Sequence, residues 1–118
     1  MTIMQVDGMQ KENENETPPG LKKPLALRAL RRSNVRKKIA EYLFDISPSY
    51  SYTSEIAYNI NTTPSNVIGA IRGMDSRYRK EESLIGLDII ELKNTDNNIK
   101  LYGITTFGRE LVESMKKR

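Results

Sequence analysis

The sequence predicts an α+β fold with a three-helix core, one short strand, a β-hairpin and a C-terminal helix. Three patterns carry this prediction. Two short helical segments meet at a tight turn between Thr53 and Arg72, a strand-turn-strand pattern follows in residues 88–105, and a capping threonine then opens a last helix. Two helices joined across such a turn form a helix-turn-helix, the motif that most often places a helix in a DNA groove.

The start of the chain differs in character from the rest. Its first twenty residues are polar, carry one lysine against four acids, and end in Thr-Pro-Pro-Gly, so they can bury little apolar surface. Their net charge of −3 leaves +7 for residues 21–118. We expect a disordered acidic tail over residues 1–23 and one folded domain over residues 24–118.

The first clear helix begins after Ser33, whose hydroxyl suits the N-cap position, and ends before Pro48. Its apolar side chains recur at helical spacing: Val35, Ile39, Tyr42, Leu43 and Ile46. Residues 50–52 then alternate in a way that fits one short strand. The basic segment ahead of this helix, residues 24–32, fits either a turn of helix or an extended arm.

The helix-turn-helix prediction rests on the residues around its turn. Thr53 suits the N-cap of the first helix, and Asn61 tolerates the positive φ that turns the chain. Thr63 can cap the second helix, and Pro64 fits its first position. Four apolar residues then share one face of a helix over about residues 64–77: Val67, Ala70, Ile71 and Met74. An ordinary helical hairpin would share this local pattern, so the downstream sequence decides.

The second half of the chain predicts a β-hairpin and a helix. Residues 88–93 are rich in β-forming side chains, residues 94–98 read Asn-Thr-Asp-Asn-Asn and favour a turn, and residues 99–105 return as a second strand. Thr105 can cap a final helix whose apolar residues lie in line: Phe107, Leu111 and Met115.

This order of elements resembles the winged helix-turn-helix transcriptional regulators of archaea and bacteria. The resemblance is most specific where the family pattern Tyr-x-(Leu or Ile)-Thr-x-x-Gly-x-x-Leu closes the hairpin, or wing, and opens the last helix: Tyr102, Ile104, Thr105, Gly108 and Leu111. The runs SLIGLDIIEL, RRSNVRKKIAEYLFDI and PSNVIGAIRGM extend it over about residues 28–115 and look most like small archaeal members. The resemblance implies a DNA-binding transcriptional regulator whose recognition helix, about residues 64–77, enters the major groove of double-stranded DNA.

The outer face of that helix supplies the candidate base contacts. Arg72 can bond guanine O6 and N7 together, or it can pair with Asp75 on the helix surface. Asn66 fits either adenine or a local hydrogen bond, and Ile68 fits either a thymine methyl or the edge of the core. Gly69 either lets the helix approach base edges or lets another element pack against it.

Phosphate contacts are expected from hydroxyls and cations around this face. Residues 21–38 carry eight Lys or Arg and no acid, and a second basic group follows in residues 72–80; both fit either phosphates or a solvated surface. The hairpin tip has no cation, and only Lys93 and Lys100 flank it. Together the candidate DNA contacts are Thr53, Ser54, Ser65, Asn66, Gly69, Arg72, Ser76, Arg77, Arg36, Lys37, Lys93 and Lys100.

The composition argues against catalysis, metal binding and membrane insertion. The chain has no His and no Cys, lacks a Gly-rich loop ending in Gly-Lys, and carries scattered acids that form no recognisable pair. We therefore predict no enzyme, no metal and no cofactor. No apolar run is long enough to cross a bilayer, and the start lacks the order of a signal peptide, so we expect a soluble, cytoplasmic protein.

Two other functions remain open from the sequence. The uncharged hairpin tip and the absence of Lys or Arg between Ile39 and Ile71 fit a protein-protein interaction module of a larger assembly. The basic segment of residues 22–38 fits a non-specific, chromatin-type nucleic-acid binder. A homodimer is possible, since many winged helix relatives dimerise.

Overall fold

The computed structural model describes residues 19–73 and 80–117 of the 118-residue chain. The tail was predicted over residues 1–23, and residues 1–18 of it lie outside these ranges. The described elements are, in chain order, helix α1 (Pro19–Arg32), α2 (Asn34–Ile46), α3 (Thr53–Asn59), α4 (Pro64–Arg72), a 3₁₀ turn (Lys80–Glu82), strands β1 (Ile90–Asn94) and β2 (Lys100–Ile104), and α5 (Thr106–Lys116). This order and its antiparallel hairpin confirm the predicted winged helix.

Helix α1 begins earlier than the predicted domain boundary at residue 24. It starts at Pro19, so residues 19–23 are helical and the assignment of these residues to the tail is wrong. Pro24 inside the helix removes one backbone donor, which disfavours a helix locally. The tertiary structure offsets this cost because apolar side chains on one face of α1 are buried: Ala26, Ala29 and Leu30.

Helices α2, α3 and α4 form the core predicted for the helix-turn-helix. Ile39 and Leu43 of α2, Ile56 of α3, and Val67 and Ile71 of α4 are fully buried and belong to one apolar cluster. Each fully buried aliphatic side chain of this size contributes roughly 1.5–3 kcal/mol, so these packed faces, more than helix propensity, hold the short helices in place.

The predicted helix caps are formed at α2 and α4 but not at α3. The hydroxyl of Ser33 accepts from the Arg36 N–H at 3.2 Å, and the hydroxyl of Thr63 accepts from the Asn66 N–H at 3.2 Å. Thr53, predicted as the N-cap of α3, is instead its first helical residue, and the N-cap is Tyr52 without a side-chain cap. The Thr53 prediction is wrong. Ser51 pairs with Tyr102 of the wing, so the residue directly after this pairing, Tyr52, becomes the N-cap of α3.

Positive φ angles set both the turn before α4 and the end of α4. Asn61 has a φ of 61°, which confirms its predicted role in the turn. The C-cap of α4, Gly73, has a φ of 81°, a value that glycine adopts readily and that ends a helix. Helix α4 therefore ends at Arg72, whereas the sequence predicted that it ends at about residue 77. Residues 74–79 lie outside the described ranges.

The wing is a two-stranded antiparallel sheet extended by one bridge. β1 pairs with β2 in a register that places Leu92 opposite Tyr102. Ser51 bridges Tyr102 on the other side, with N–H to O distances of 2.8 and 2.9 Å, so the predicted short strand is a single pairing. At the close of the wing, the Thr105 hydroxyl accepts from the Gly108 N–H at 2.9 Å, and a Cβ at Gly108 would overlap the Ile89 carbonyl oxygen. Helix α5 can lie this close to the sheet because of that glycine.

Candidate nucleic-acid interface

An open groove of about 450 Å³ lies between helix α4 and the tip of the wing, and we call it the wing groove. Three separate parts of the sequence line it: Tyr52, Thr53 and Ser54; Pro64, Ile68 and Arg72; and Asn98, Ile99, Lys100 and Tyr102. The groove exists because the Ser51 bridge to Tyr102 joins the start of α3 to the wing, while packing of α3 on α4 sets the other wall. Tyr52 and Tyr102, which lie 50 positions apart in sequence, thereby line one groove.

Four of the predicted DNA contacts meet in the wing groove. Thr53 and Ser54 bring hydroxyls from the first turn of α3, and Arg72 and Lys100 bring cations from the end of α4 and the start of β2. Arg72, Lys100 and Ser54 are exposed, and Asp75, the alternative partner predicted for Arg72, lies outside the described residues. Two cations facing one open groove provide what a sugar-phosphate strand requires.

Two predicted DNA contacts at the start of α4, Ser65 and Asn66, differ in exposure. Ser65 is exposed at the second position of the helix. Asn66 is half-buried, and its side-chain amide donates to the Thr62 hydroxyl at 3.0 Å. Of the two roles that the sequence allowed for Asn66, adenine contact or local hydrogen bond, the structure shows the local hydrogen bond. Ser65 is accessible to a ligand.

Arg36 does not lie where a phosphate contact could form. Only 4% of the residue is exposed, and its guanidinium Nη2 lies 3.6 Å from a carboxylate oxygen of Glu82. Glu82 also lies 3.6 Å from the Nη1 of Arg32. The prediction of Arg36 as a DNA contact is therefore wrong, because this cation fastens α2 to the segment that leads into the wing.

Gly69 is buried, and its predicted place on the DNA-facing side of α4 is wrong. At 100° per residue, Gly69 was expected on the side of the helix opposite Val67 and Ile71. In the structure the buried side of α4 is wider and includes Gly69. The exposed face of α4 is consequently narrower than predicted and consists of Pro64, Ser65 and Arg72, with Ile68 half-buried beside them.

The two wing lysines point to opposite sides of the hairpin. Lys100 pairs with Asn94 in the register and lines the wing groove, whereas Lys93 pairs with Leu101 and so belongs to the other face. The ammonium of Lys93 lies 5.6 Å from the centre of the Tyr50 ring. Both lysines are exposed, but a single strand of nucleic acid in the wing groove would meet only Lys100.

Tyr50 braces the outer face of the wing. Its hydroxyl donates to the carboxylate of Glu91, and this hydrogen bond, followed by partial burial and the negative charge, raises the pKa of Tyr50 above its ordinary value. The ring lies against Gly103, where a Cβ would come within 2.6 Å of it. The brace therefore depends on a glycine in β2 and holds the wing on the body of the domain.

The basic segment of residues 22–38 combines cations that contact the rest of the domain with cations that are exposed. Lys22 lies 3.0 Å from a carboxylate oxygen of Asp88, and its ammonium lies 4.4 Å from the centre of the Phe107 ring. Lys37, a predicted phosphate contact, is half-buried on α2. Exposed cations of this segment include Lys23, Arg28, Arg31 and Lys38. The remaining predicted contacts, Ser76 and Arg77, lie outside the described residues.

The sequence did not identify the apolar part of the wing groove. Ile99, at the wing tip, is 48% exposed, and Tyr52, beside it in the groove, is exposed as well. The sequence did contain a signal for it: Ile99 directly follows five turn residues. An apolar side chain at a hairpin tip has no core around it, so it can be expected to be exposed. The groove thus combines an apolar wall with a basic rim.

Among the helices of residues 19–73 and 80–117, none is long and apolar enough to cross a membrane. The acidic side chains in these ranges form no group of three or more that could hold a metal ion.

Comparisons with known proteins give a family for most of the chain. The sequence model of a family described as EarA-like matches residues 26–115. An uncharacterized protein of Methanocaldococcus jannaschii is 38% identical over 93 residues, which are 79% of this chain and 83% of that protein. Among solved structures, a mutant of Lactococcus lactis ZitR aligns at 15% identity with a TM-score of 0.49. That alignment covers 68% of this chain and 49%, about half, of the ZitR chain.

Proposed function

The chain belongs to the EarA-like family, and we propose that it is a sequence-specific regulator of transcription that binds double-stranded DNA with α4 in the major groove. One observation carries the proposal: the exposed face of α4, the start of α3 and the wing tip converge on one groove that has a cation on each side, Arg72 and Lys100. A winged helix alone does not assign a function, so the proposal rests on this groove rather than on the fold.

Arg72 is the base-reading residue in this proposal. It is exposed at the last position of α4, and its planar fork can bond both acceptors of guanine in the major groove. Ser65 lies at the opposite end of the same exposed face, where a hydroxyl suits a phosphate oxygen. Base reading at one end and phosphate contact at the other would fix the helix along the groove.

The wing groove then receives the sugar-phosphate strand that borders the major groove. Lys100, Thr53 and Ser54 supply polar contacts to phosphate, while Ile99 and Ile68 offer apolar surface to deoxyribose. Because the wing tip itself carries no cation, we expect it to contact backbone and not to read the minor groove.

An unbiased selection of bound duplexes, followed by titration of two arginine variants, tests this function. Arg72→Ala should weaken binding to the selected duplex by about 1–3 kcal/mol and relax preference at one base pair. Arg31→Ala, which removes an exposed arginine outside the wing groove, is the matched control and should leave base preference unchanged. Equal affinity and equal preference for Arg72→Ala and the parent protein would refute the assignment of Arg72.

A second function, docking to a protein partner, has its own structural support. Ile99 and Leu92 of the wing are 48% and 41% exposed, and the turn at residues 94–98 carries no cation. Absence of binding to any duplex even at low salt would favour this alternative, whereas a steep fall in affinity with rising salt would favour DNA. Equal affinity for random and selected duplexes would instead indicate a non-specific binder.

A further inference from the structure

A second groove, of about 360 Å³, lies between α1 and the segment that leads into the wing, and we call it the α1 groove. Leu25, Arg28 and Arg32 of α1 line one wall, and Glu81, Glu82 and Leu87 line the other. None of these residues lines the wing groove. The α1 groove is therefore a separate surface that the proposed function does not use.

Among the described residues that line the α1 groove, positive and negative charges are equal in number, although the domain around it is basic. Arg32 and Glu82 already pair across it at 3.6 Å. Arg28 and Glu81, by contrast, are both exposed and have no ion pair with any residue of the described ranges. Two arginines thus face two glutamates in a region that otherwise carries +7 over residues 21–118. Like-charge repulsion, which opposes self-association elsewhere on this domain, is cancelled here.

Apolar side chains adjoin these charges on α1. Leu25 is 38% exposed, and Leu21, one turn earlier on the same side of the helix, is 53% exposed. Two uncovered leucines next to open charges are typical of a surface that becomes buried in a complex.

We propose that the α1 groove is the contact surface of a homodimer, in which a second copy of this chain docks on the same surface by a two-fold rotation. A two-fold contact requires a surface that is complementary to itself. Here the rotation brings Arg28 of one copy opposite Glu81 of the other, and the reverse pair forms at the same time. The leucines of α1 are covered between the two ion pairs.

A second copy fits this groove better than an unrelated partner does. An acidic partner would be repelled by Glu81, and a basic partner by Arg28, whereas a copy of the chain matches both walls. Helix α1 packs mainly on α2 and α5, and the described residues that line the α1 groove do not line the wing groove, so a dimer formed there leaves both wing grooves open. The inference therefore does not depend on DNA binding.

Sedimentation equilibrium of the full chain, with charge reversals at the two open positions, tests the dimer. The parent protein should be dimeric at high concentration and dissociate on dilution. Arg28→Glu and Glu81→Arg should each weaken dimerisation at least about tenfold, because each places like charges opposite one another. The double variant should recover an affinity within about threefold of the parent, since it restores both ion pairs in reversed order.

Arg31→Glu is the control, because it makes the same charge change on the same helix outside the α1 groove. It should shift the dimer affinity by less than about threefold, and circular dichroism should show that every variant is folded. A parent protein that stays monomeric at all concentrations would overturn the proposal, whether or not it binds DNA. A double variant as weak as either single reversal would overturn the pairing of Arg28 with Glu81.

Discussion

Two regions of this domain carry charge in opposite ways. Residues 22–38 hold eight Lys or Arg with no acid between them, whereas residues 39–71, which contain α3 and nearly all of α4, hold none. Yet three cations of the cation-rich region are paired within the domain: Lys22 with Asp88, and Arg32 and Arg36 with Glu82. The cation-poor region borders the groove that exposes Arg72 and Lys100.

The comparison shows that charge density along a chain differs from charge that a ligand can reach. A cation that is buried or paired within the domain has already exchanged water for protein contacts, and using it for a phosphate would break those contacts. Arg36 is the extreme case, because it is buried on α2. Isolated cations at the rim of a groove can therefore matter more to binding than a denser cluster elsewhere.

The largest expected effect is a loss of stability when a buried cation of the cation-rich region is removed. Arg36→Ala removes a buried guanidinium from its contact with Glu82 and leaves a cavity, so we expect the free energy of unfolding to fall by about 3 kcal/mol. Urea unfolding measures this loss, with Lys38→Ala as an exposed control that should change by less than about 0.5 kcal/mol. A parent-like urea midpoint for Arg36→Ala would mean that this cation does not fasten the domain.

A smaller loss should follow from disturbing the wing, the other side of the comparison. In Gly103→Ala the new Cβ would lie 2.6 Å from the Tyr50 ring, so the ring must leave Glu91 and the wing loses its brace. We expect a loss of about 1–2 kcal/mol in unfolding free energy, together with weaker duplex binding.

The same change in a Tyr50→Ala background is the control for the wing prediction. With the ring absent, Gly103→Ala should be nearly neutral in thermal or urea unfolding. Equal losses in the two backgrounds would show that the ring is not what Gly103 accommodates.

Salt dependence compares one cation from each region directly. Lys100→Ala should reduce the slope of log affinity against log salt by about 1, because an exposed groove cation releases a counterion on binding. Lys22→Ala should leave the slope unchanged, since this ammonium already pairs with Asp88 at 3.0 Å. Fluorescence anisotropy titrations at several salt concentrations measure both slopes; a larger change for Lys22→Ala would reverse the comparison.

The smallest effect is a pH dependence of the wing brace. The hydrogen bond to Glu91 raises the pKa of Tyr50 in the folded protein above the ordinary 10.0. Its stabilising contribution is therefore complete below pH 10.0 and is lost as the pH rises through the higher folded-state value. Melting curves below and above pH 10 should show a larger destabilisation for the parent than for Tyr50→Phe. An identical pH response would indicate that this bond contributes nothing.

Local patterns predicted the elements of the fold well. The caps at Ser33, Thr63 and Thr105 and the turn at Asn61 are confirmed, because each depends on a hydrogen bond or a φ value within a few residues of chain. The hairpin and the final helix are confirmed for the same reason. Thr53 failed as a cap because a distant pairing, Ser51 with Tyr102, sets where α3 starts.

The candidate site was predicted less completely than the fold. Arg72, Lys100, Thr53 and Ser54 do converge on the wing groove, but Arg36 and Gly69 are buried. A helical wheel assigns faces from one helix at a time, whereas burial depends on every element that packs around it. The strand alternation that separates Lys93 from Lys100 could have been found in the sequence once the register was fixed.

By itself, the sequence determined the winged helix, its caps and its turns, because these follow from periodicity and short-range hydrogen bonds. Only the tertiary structure decided which cations face outward, where α1 begins, and which apolar residues line the two grooves. Those outcomes depend on contacts between residues far apart in the chain, such as Lys22 with Asp88 and Arg36 with Glu82. Ion pairing and burial are properties of the assembled surface, and a linear pattern does not contain them.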